Sequence, residues 1–347
     1  MRKIQLANVS QLADYDDIID VRSPAEFADD HIPGAISAPV LNDEERACIG
    51  TLYKQVSPFE AQRQGAALIA RNIALHLEKQ FNDRPREWKP LVYCWRGGQR
   101  SAAMAHVLAQ VGWRVGQLQG GYKTYRRHVI DQLLTLPVHY EFRVVCGATG
   151  SGKSRLLRAL QTQGAQVLDI EKLAQHRGSI LGNLPGQAQP SQKLFETRLW
   201  DELRCFDASR PVFVEAESRK IGQLAIPTSL LEQIRHAECI VIETSIPARV
   251  KLLMDDYAHF LNDADLLKFT LAPLLELHGH KIIEQWHAMA LKGEWEILVT
   301  DLLGRHYDPA YLRSTANNFS RLNNAQLLHL TSLDEGDLLI AAQTLIA

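Results

Sequence analysis

The chain has 347 residues, of which 46% are hydrophobic and 22% are charged. This composition is that of a globular protein, so it excludes disordered and fibrous classes, and the length allows two or three domains. The formal net charge of -2 gives no overall nucleic-acid signature, so an RNA site must be a local basic patch.

The cysteines and the N-terminal residues indicate the compartment. The five cysteines are odd in number, widely spaced and form no C-x-x-C pair, so they predict neither a disulfide framework nor a zinc site. Residues 1–10 lack the pattern of a signal peptide, and no apolar run reaches the length of a membrane span. We therefore expect a soluble, cytoplasmic protein that does not cross a membrane.

The first 124 residues alternate short apolar strands with helices. This alternation predicts an α/β fold with a parallel sheet, in which the loops at the strand C-termini carry the chemistry. No element is predicted for the polar residues 41–63. The expected strands cover residues 17–22, 91–93 and 115–118, and the expected helices begin at Ser23-Pro24 and cover residues 65–81 and 101–111.

A cysteine stands at the end of the central predicted strand. Cys94 precedes Gly97 and Gly98, which allow positive φ and a nest of inward N–H groups that binds anions. Arg96 and Arg100 add positive charge that favours a thiolate. The stretch therefore predicts an anion cradle with Cys94 as a nucleophile toward sulfur or phosphorus. The alternative is a small buried cysteine before an ordinary turn.

Four motifs of this region resemble a rhodanese domain. They occur in the order that the family shows, and they are Asp20-Val21-Arg22-Ser23-Pro24-x-Glu26-Phe27, His31-Ile32-Pro33-Gly34-Ala35, Cys94 and Leu118-x-Gly120-Gly121. The resemblance covers about the first third of the chain. It implies that Cys94 carries sulfur or selenium as a persulfide or perselenide, or attacks a donor of either atom.

The spacing after Cys94 departs from the common rhodanese pattern. Five residues separate Cys94 from Arg100, one more than in many small rhodaneses. The wider ring predicts a cradle for a tetrahedral donor such as selenophosphate. Alternatively, Trp95 is an insertion that packs on the core.

Residues 125–140 follow without a flexible spacer, and we expect a helical connector. Its basic and aromatic residues could contact RNA phosphates and bases, or form a solvated helix face.

A complete Walker A motif opens the next region. An apolar strand at residues 142–146 leads into the motif, and a helix at residues 155–163 follows it. Backbone amides would cradle phosphates, Lys153 would reach the terminal phosphate, and Ser154 would bind Mg²⁺. The motif leaves open which diphosphate or triphosphate binds. The predicted phosphate-binding residues are Gly147, Thr149, Gly150, Ser151, Gly152, Lys153 and Ser154.

Two predicted strand ends carry the favoured acidic partners. Asp169 and Glu215 are candidates to hold Mg²⁺ through water or to act as a base, with surface or salt-bridged carboxylates as the alternative. Arg177, Arg219 and Lys220 are candidate contacts to a diphosphate or to the tRNA backbone, with solvated charge as the alternative. No metal site built from protein ligands alone is expected.

The chain is therefore divided into four parts. We expect a rhodanese-like domain at residues 1–124, a helical connector at 125–140, a P-loop domain core at 141–260 and a helical C-terminal extension at 261–347. The basic and aromatic cluster at residues 305–311 is interpreted as a weak RNA-contact signal. The role of the C-terminal helices and the oligomeric state stay open.

A rhodanese unit fused to a P-loop unit, with its motifs in this order, resembles the tRNA 2-selenouridine synthase family. The resemblance implies a bacterial enzyme that acts on 2-thiouridine at the wobble position of tRNA. It implies S-geranylation by geranyl diphosphate, followed by replacement of the sulfur by selenium from selenophosphate. The alternatives are an ATP-dependent sulfurtransferase or tRNA thiolase, and a non-enzymatic rhodanese module joined to a nucleotide switch.

Overall fold

The computed structural model describes residues 3–346, apart from the side chains of residues 316 and 317. It divides into two compact units. The first contains the chain up to Gln132 together with Ser191–Asp201, and the second contains Leu133–Pro190 and the chain from Glu202 onward. Each unit has a parallel sheet with helices on it, so the predicted α/β class with two such domains is confirmed.

The sheet of the first unit has five parallel strands in the order β1-β5-β4-β2-β3. Strand β4 pairs on both sides and is buried along its whole length, as its apolar sequence predicts. Cys94 follows β4 directly, at the carboxyl end of the sheet. The strands are β1 (Gln5–Ala7), β2 (Asp17–Asp20), β3 (Ile36–Ser37), β4 (Pro90–Tyr93) and β5 (Gly116–Leu118).

The helices of the first unit are α1 (Pro24–Asp29), α2 (Asp43–Gln55), α3 (Pro58–His76), α4 (Gln99–Val111) and α5 (Gly121–Thr135), with short helical turns at Val9–Asp14 and Leu77–Phe81. Helix α1 begins as predicted, with Ser23 and Glu26 forming a capping box. Helix α2 lies where no element was predicted. Asn42 and Glu45 form its capping box, which stabilises a helix whose mean hydropathy is low.

The charged end of β2 has a structural role. Asp20 and Arg22 form a buried ion pair with an N–O distance of 2.6 Å, and the Tyr93 hydroxyl donates to Asp20 at 2.7 Å. The Arg22 guanidinium lies 4.0 Å from the centre of the Tyr122 ring. These contacts satisfy two buried charges, and they join β2 to β4 and to the start of α5.

The second unit also has five parallel strands, in the order β12-β11-β6-β8-β7, and a separate β9-β10 hairpin. Strand β12 lies in the region that was expected to be helical. It pairs with β11, with Leu328 opposite Ile242. The strands are β6 (Phe142–Cys146), β7 (Gln166–Leu168), β8 (Val212–Glu215), β9 (Lys220–Ile221), β10 (Leu224–Ala225), β11 (Glu238–Glu243) and β12 (Gln326–His329).

The remaining helices are α6 (Lys153–Thr162), α7 (Ile170–Ala174), α8 (Gln192–Leu203), α9 (Thr228–His236), α10 (Ile246–Asp256), α11 (Ala264–Leu271), α12 (Leu275–Leu291), α13 (Trp295–Leu302), α14 (Asp308–Asn318) and α15 (Glu335–Ile346). Shorter helical turns lie at Leu136–His139, Ala258–Asn262, Ala272–Leu274, Leu303–Tyr307 and Leu322–Asn324. Helices α6 and α15 pack together on the sheet, and Trp286 centres a separate helical core. Over residues 3–346, each helix is too short or too polar to span a bilayer.

Most of α8 belongs to the first unit by its contacts. Lys193 Nζ lies 2.6 Å from an Asp29 carboxylate oxygen, and Arg126 forms an ion pair with Glu196. Residues 125–139, where a helical connector was expected, are helical in α5 and in the turn at Leu136–His139, and the boundary between the units falls within α5, after Gln132.

Candidate functional site

The Cys94 thiol lies in a small hydrogen-bonded network. Its sulfur is 3.2 Å from the Ser101 hydroxyl oxygen, and the residue is only 4% exposed. The Gln117 amide donates to that hydroxyl at 2.9 Å, and Ser101 Oγ lies 3.1 Å from the Gly98 carbonyl oxygen that it can donate to. Since Gln117 uses a lone pair of Ser101, the hydroxyl proton is available to the Gly98 carbonyl or to the sulfur.

The backbone after Cys94 is packed against the loop that begins α5. Gly97 has a φ of +65°, as the cradle prediction requires, but Gly98 has a φ of -94° and serves as the N-cap of α4. The Tyr122 amide donates to the Cys94 carbonyl at 2.8 Å. A Cβ on Gly121 would lie 2.2 Å from the Cys94 carbonyl oxygen and 2.5 Å from the Gly97 nitrogen. This contact explains why the motif Leu118-x-Gly120-Gly121 ends in glycine.

The two arginines of the predicted cradle do not converge on the sulfur. Arg100 was expected to charge the cradle, but its guanidinium forms a two-point ion pair with Glu26, with N–O distances of 2.7 and 3.3 Å. Burial by itself would raise the pKa of Glu26, but Arg100 and the Ser23 amide hold it below its ordinary value. Arg96 is exposed. Trp95 is 37% exposed beside the Tyr122 ring, so it is not a core-packed insertion.

The Walker A motif forms the second cradle. Gly150 and Gly152 have φ of +79° and +89°, and Gly152 is the N-cap of α6. The Lys153 ammonium donates to the Gly147 carbonyl at 2.8 Å. The buried Ser151 hydroxyl has no hydrogen-bond partner among the described residues. Beside the motif lies a cavity of about 510 Å³. The arrangement is suited to phosphate groups, which would pair with Lys153 and the loop amides.

The carboxylates at this cavity differ from those predicted. The Ser154 hydroxyl donates to Glu171 at 3.1 Å, and Glu171 and Glu217 line the cavity. Asp169 instead caps α7, accepting from the backbone amide of Lys172 at 2.9 Å. Asp169 therefore has a helix-capping role, which the sequence did not predict.

Glu215 lies beneath the cavity rather than on its wall. One of its oxygens accepts the Glu171 amide at 2.8 Å, and the other is buried without a partner in the described part of the chain. Burial, then the charges of Glu171 and its neighbours, raise the pKa of Glu215 well above its ordinary value. Burial and Glu171 also raise the pKa of Glu217 to about 8, although Lys153 opposes the shift. The crowding therefore favours the neutral, protonated carboxyls, and a bound cation would favour their ionised forms.

Ser154 and Glu171 fit Mg²⁺, because a hydroxyl and a carboxylate are hard oxygen donors. Residues 3–346 contain no cluster of three or more His, Cys, Asp or Glu side chains placed to hold a metal ion. A bound Mg²⁺ would therefore take further ligands from phosphate oxygens and water.

Only one of the three predicted basic contacts lies at this cavity. Arg177 lines it, with its guanidinium 4.6 Å from the centre of the Tyr257 ring, and donates to the Asp256 carbonyl. Arg219 and Lys220 are exposed and lie outside the residues that line the cavity. The late basic and aromatic cluster reaches the same cavity through three side chains, which are His306, Tyr307 and Tyr311.

A buried arginine supports the P-loop from helix α10. Arg249 Nε donates to the Thr149 carbonyl at 2.8 Å, and its two terminal nitrogens lie 2.5 and 3.0 Å from the Asp308 carboxylate. Sequence reasoning missed this residue, because a pairing across 59 positions leaves no local signal.

An apolar cavity of about 60 Å³ adjoins the phosphate cavity. Apart from the residues that it shares with the phosphate cavity, its wall consists of Leu, Phe, Met, Val and Trp side chains, from Leu181 and from residues 254–303. The residues that line both cavities are Thr149, Ser179, Leu253, Tyr257 and Tyr307. The phosphate cavity therefore has an apolar extension.

Two family models match the chain in the order of its two units. The model described as a rhodanese-like domain matches residues 5–128. The model described as the tRNA 2-selenouridine synthase AAA domain matches residues 140–270.

Curated relatives named tRNA 2-selenouridine synthase match most of the chain. A tRNA 2-selenouridine synthase from Nitrosomonas europaea is 37% identical over 244 residues, which are 69% of this chain and 63% of the relative. The chain thus spans less than two thirds of that relative. The one from Alcanivorax borkumensis is 36% identical, over 85% of this chain and 88% of the relative. The one from a Sulfurovum species is 32% identical, over 89% of this chain and 92% of the relative. The chain belongs to the tRNA 2-selenouridine synthase family.

Proposed function

We propose that this protein replaces the sulfur of 2-thiouridine at the wobble position of tRNA by selenium. The second unit S-geranylates the uridine with geranyl diphosphate, and the Cys94 cradle then exchanges the alkylated sulfur for selenium from selenophosphate. The observation that carries this proposal is the phosphate cavity at Lys153, which continues into an apolar cavity. The names of the curated relatives support the tRNA substrate.

In the first step, the thiocarbonyl sulfur attacks C1 of geranyl diphosphate. The S–C bond forms as the C–O bond breaks, the electron pair leaves with the diphosphate, and the N3 proton passes to solvent. Lys153 and the loop amides bind the diphosphate and stabilise its growing negative charge. Ser154 and Glu171 would hold Mg²⁺, which supplies further charge neutralisation when bound.

In the second step, the selenium of selenophosphate adds to C2 of the uracil, and the C2–S bond breaks. Geranylthiol leaves, and water hydrolyses the P–Se bond to give phosphate. Water and selenophosphate together supply three protons. One goes to N3 of the uracil, one goes to the leaving thiol, and one stays on phosphate. Alkylation makes the sulfur a leaving group that the parent thiocarbonyl lacks. We assign contact with the donor to the thiol of Cys94 and the hydroxyl of Ser101, which lie 3.2 Å apart.

The apolar extension favours a prenyl diphosphate over ATP. A nucleotide presents a polar sugar and base beyond its phosphates, whereas the shared wall beyond the P-loop includes Leu253 and Tyr257. At about 60 Å³, the extension is smaller than the roughly 150 Å³ cavity that holds benzene. It therefore accepts the end of a prenyl chain, and the 510 Å³ cavity holds the rest.

The central experiment is mass analysis of tRNA nucleosides after incubation with both donors. We expect Lys153→Ala to lose the geranylated product and Cys94→Ala to accumulate it. Lys281→Ala and Cys48→Ala are matched controls, because both residues are exposed and lie outside the two cradles and outside the lining of the phosphate cavity. Loss of both products in both test variants would contradict a division of labour between the units.

The ligand of the P-loop is tested separately by thermal protection. Geranyl diphosphate should raise the Tm of the protein, and ATP should not, since a ligand stabilises the state that binds it. The reverse result would support the alternative, an ATP-dependent sulfurtransferase or tRNA thiolase.

A further inference from the structure

Helices α2, α3 and α4 of the first unit enclose a groove that the reaction above does not use. The groove has a volume of about 570 Å³. One face of α3 and one face of α4 supply most of its wall, and small or aliphatic side chains predominate there. These residues include Ile49, Ala66, Ile69, Ala70, Ala103 and Val107.

One end of the groove lies next to the Cys94 cradle. Gln99 and Arg100, the first two residues of α4, line this end. The next residue, Ser101, has its hydroxyl oxygen 3.2 Å from the Cys94 sulfur. A substrate whose reacting carbon is at Cys94 could therefore place an attached chain along α4.

Apart from the Tyr53 phenol, every ionisable side chain that lines the groove is basic. Arg46, Lys54 and His106 lie on its wall together with Arg100, and no carboxylate lines it. Glu26 contacts Arg100 from outside the lining. An apolar groove with a basic rim is complementary to a hydrocarbon group carried on a polyanion.

We propose that this groove binds the geranyl group of S-geranylated tRNA while the Cys94 cradle exchanges the sulfur for selenium. This inference rests on the proposed function. The groove makes no bond to the geranyl group, which departs as geranylthiol when the C2–S bond breaks.

The volume and the lining of the groove favour the geranyl group of the tRNA over the free donor as its occupant. The apolar cavity beside the P-loop holds about 60 Å³, whereas the groove holds about 570 Å³ and can enclose the whole ten-carbon chain. The Walker A residues line the phosphate cavity and none of them lines the groove, so the diphosphate of the free donor is assigned to the phosphate cavity.

The test uses the full-length protein and an RNA stem-loop that carries S-geranyl-2-thiouridine, with an S-methyl stem-loop for comparison. We expect the geranyl stem-loop to bind about 30-fold more tightly than the S-methyl one, since each buried methylene adds affinity. Ala66→Phe, which fills the groove, should remove this preference and slow selenation of the geranyl stem-loop at least about 10-fold. Its formation of geranylated tRNA should equal that of the wild type.

Ala67→Phe is the matched control. Ala67 is the next residue of α3, equally exposed, and lies outside the groove lining, so its variant should behave as the wild type. If the Tm of Ala66→Phe is lowered, Ala70→Phe replaces it in the test, because it fills the groove from a second position.

The outcomes separate this inference from the proposed function. If both filled variants select and convert the geranyl stem-loop as the wild type does, the groove has no part in the reaction. If they lose geranylation instead of selenation, the groove binds the donor and the inference is wrong. If the wild type converts no geranyl stem-loop, the proposed function itself fails.

Discussion

The two cradles lie at the same type of sheet edge, but they are braced differently. The loop after Cys94 is held by main-chain contacts to the start of α5, and its polar side chains are paired, Arg100 with Glu26 and Ser101 with Gln117. The P-loop is held by two long side chains, Lys153 on the Gly147 carbonyl and Arg249 on the Thr149 carbonyl. Its surroundings retain a buried hydroxyl and a buried carboxylate oxygen without partners among the described residues.

This difference indicates when each cradle reaches its working geometry. The first has its polar groups satisfied within the protein, so it is preorganised before a substrate arrives. The second crowds carboxylates beside Lys153, with the pKa of Glu215 raised by burial and by its acidic neighbours. Ligand and cation binding would satisfy these groups, so the second cradle should gain more stability from its ligand than the first.

The largest expected effect comes from breaking the main-chain brace of the first cradle. In Gly121→Ala, the new Cβ would lie 2.2 Å from the Cys94 carbonyl oxygen, so the loop must move. We expect selenation of geranylated tRNA to fall roughly 100-fold, because the reacting groups are misplaced. Gly34→Ala is the control, since Gly34 has a similar φ of +75° and open space around it. Equal losses in the two variants would show that backbone strain alone is responsible.

The second cradle should be weakened by the loss of Arg249, the side chain that supports the P-loop from α10. Arg249→Met removes a buried guanidinium and leaves Asp308 unpaired, so we expect a loss of about 3 kcal/mol of stability. Binding of inorganic diphosphate, measured by calorimetry, should weaken about 10-fold because Thr149 loses its support. Lys251→Met, on the same helix but exposed, should change neither quantity. Unchanged diphosphate binding in Arg249→Met would show that the loop holds its shape without the arginine.

A smaller effect concerns pH. Because the folded-state pKa of Glu26 lies below its ordinary value of 4.5, the carboxylate stabilises the fold above pH 4.5, and this contribution is lost as the pH falls through the lowered folded-state value. Glu26→Gln should therefore lose less stability than the wild type on acidification, by on the order of 1 kcal/mol or less. Thermal unfolding at several pH values measures this, with the exposed Glu44→Gln as control. Parallel curves for Glu26→Gln and the wild type would contradict the ion-pair explanation.

The sequence predicted the elements whose signals are local. Ser23-Pro24 located the start of α1, and the Walker A motif located both β6 and α6. Cys94 was correctly placed at the end of a buried strand. Each of these signals lies within a few residues of the structure it specifies.

The errors involve partners that are distant in sequence. The pairing of Arg100 with Glu26, 74 positions away, removed an arginine from the cradle, and β12 is a strand because β11 offers it a free edge. Glu171 and Glu217, which line the cavity, each stand two residues after the predicted carboxylates Asp169 and Glu215.

The placement of Ser191–Asp201 in the first unit bears on the order in which the protein is made. During synthesis, Asp29 and Arg126 leave the ribosome long before their partners Lys193 and Glu196. The first unit is therefore incomplete until about residue 201 has emerged, when β6 and the P-loop are already outside the ribosome. The second sheet, in turn, waits for β12 near the end of the chain. The two units thus mature in overlapping rather than successive intervals, and a chain released early would leave both sheets short of contacts.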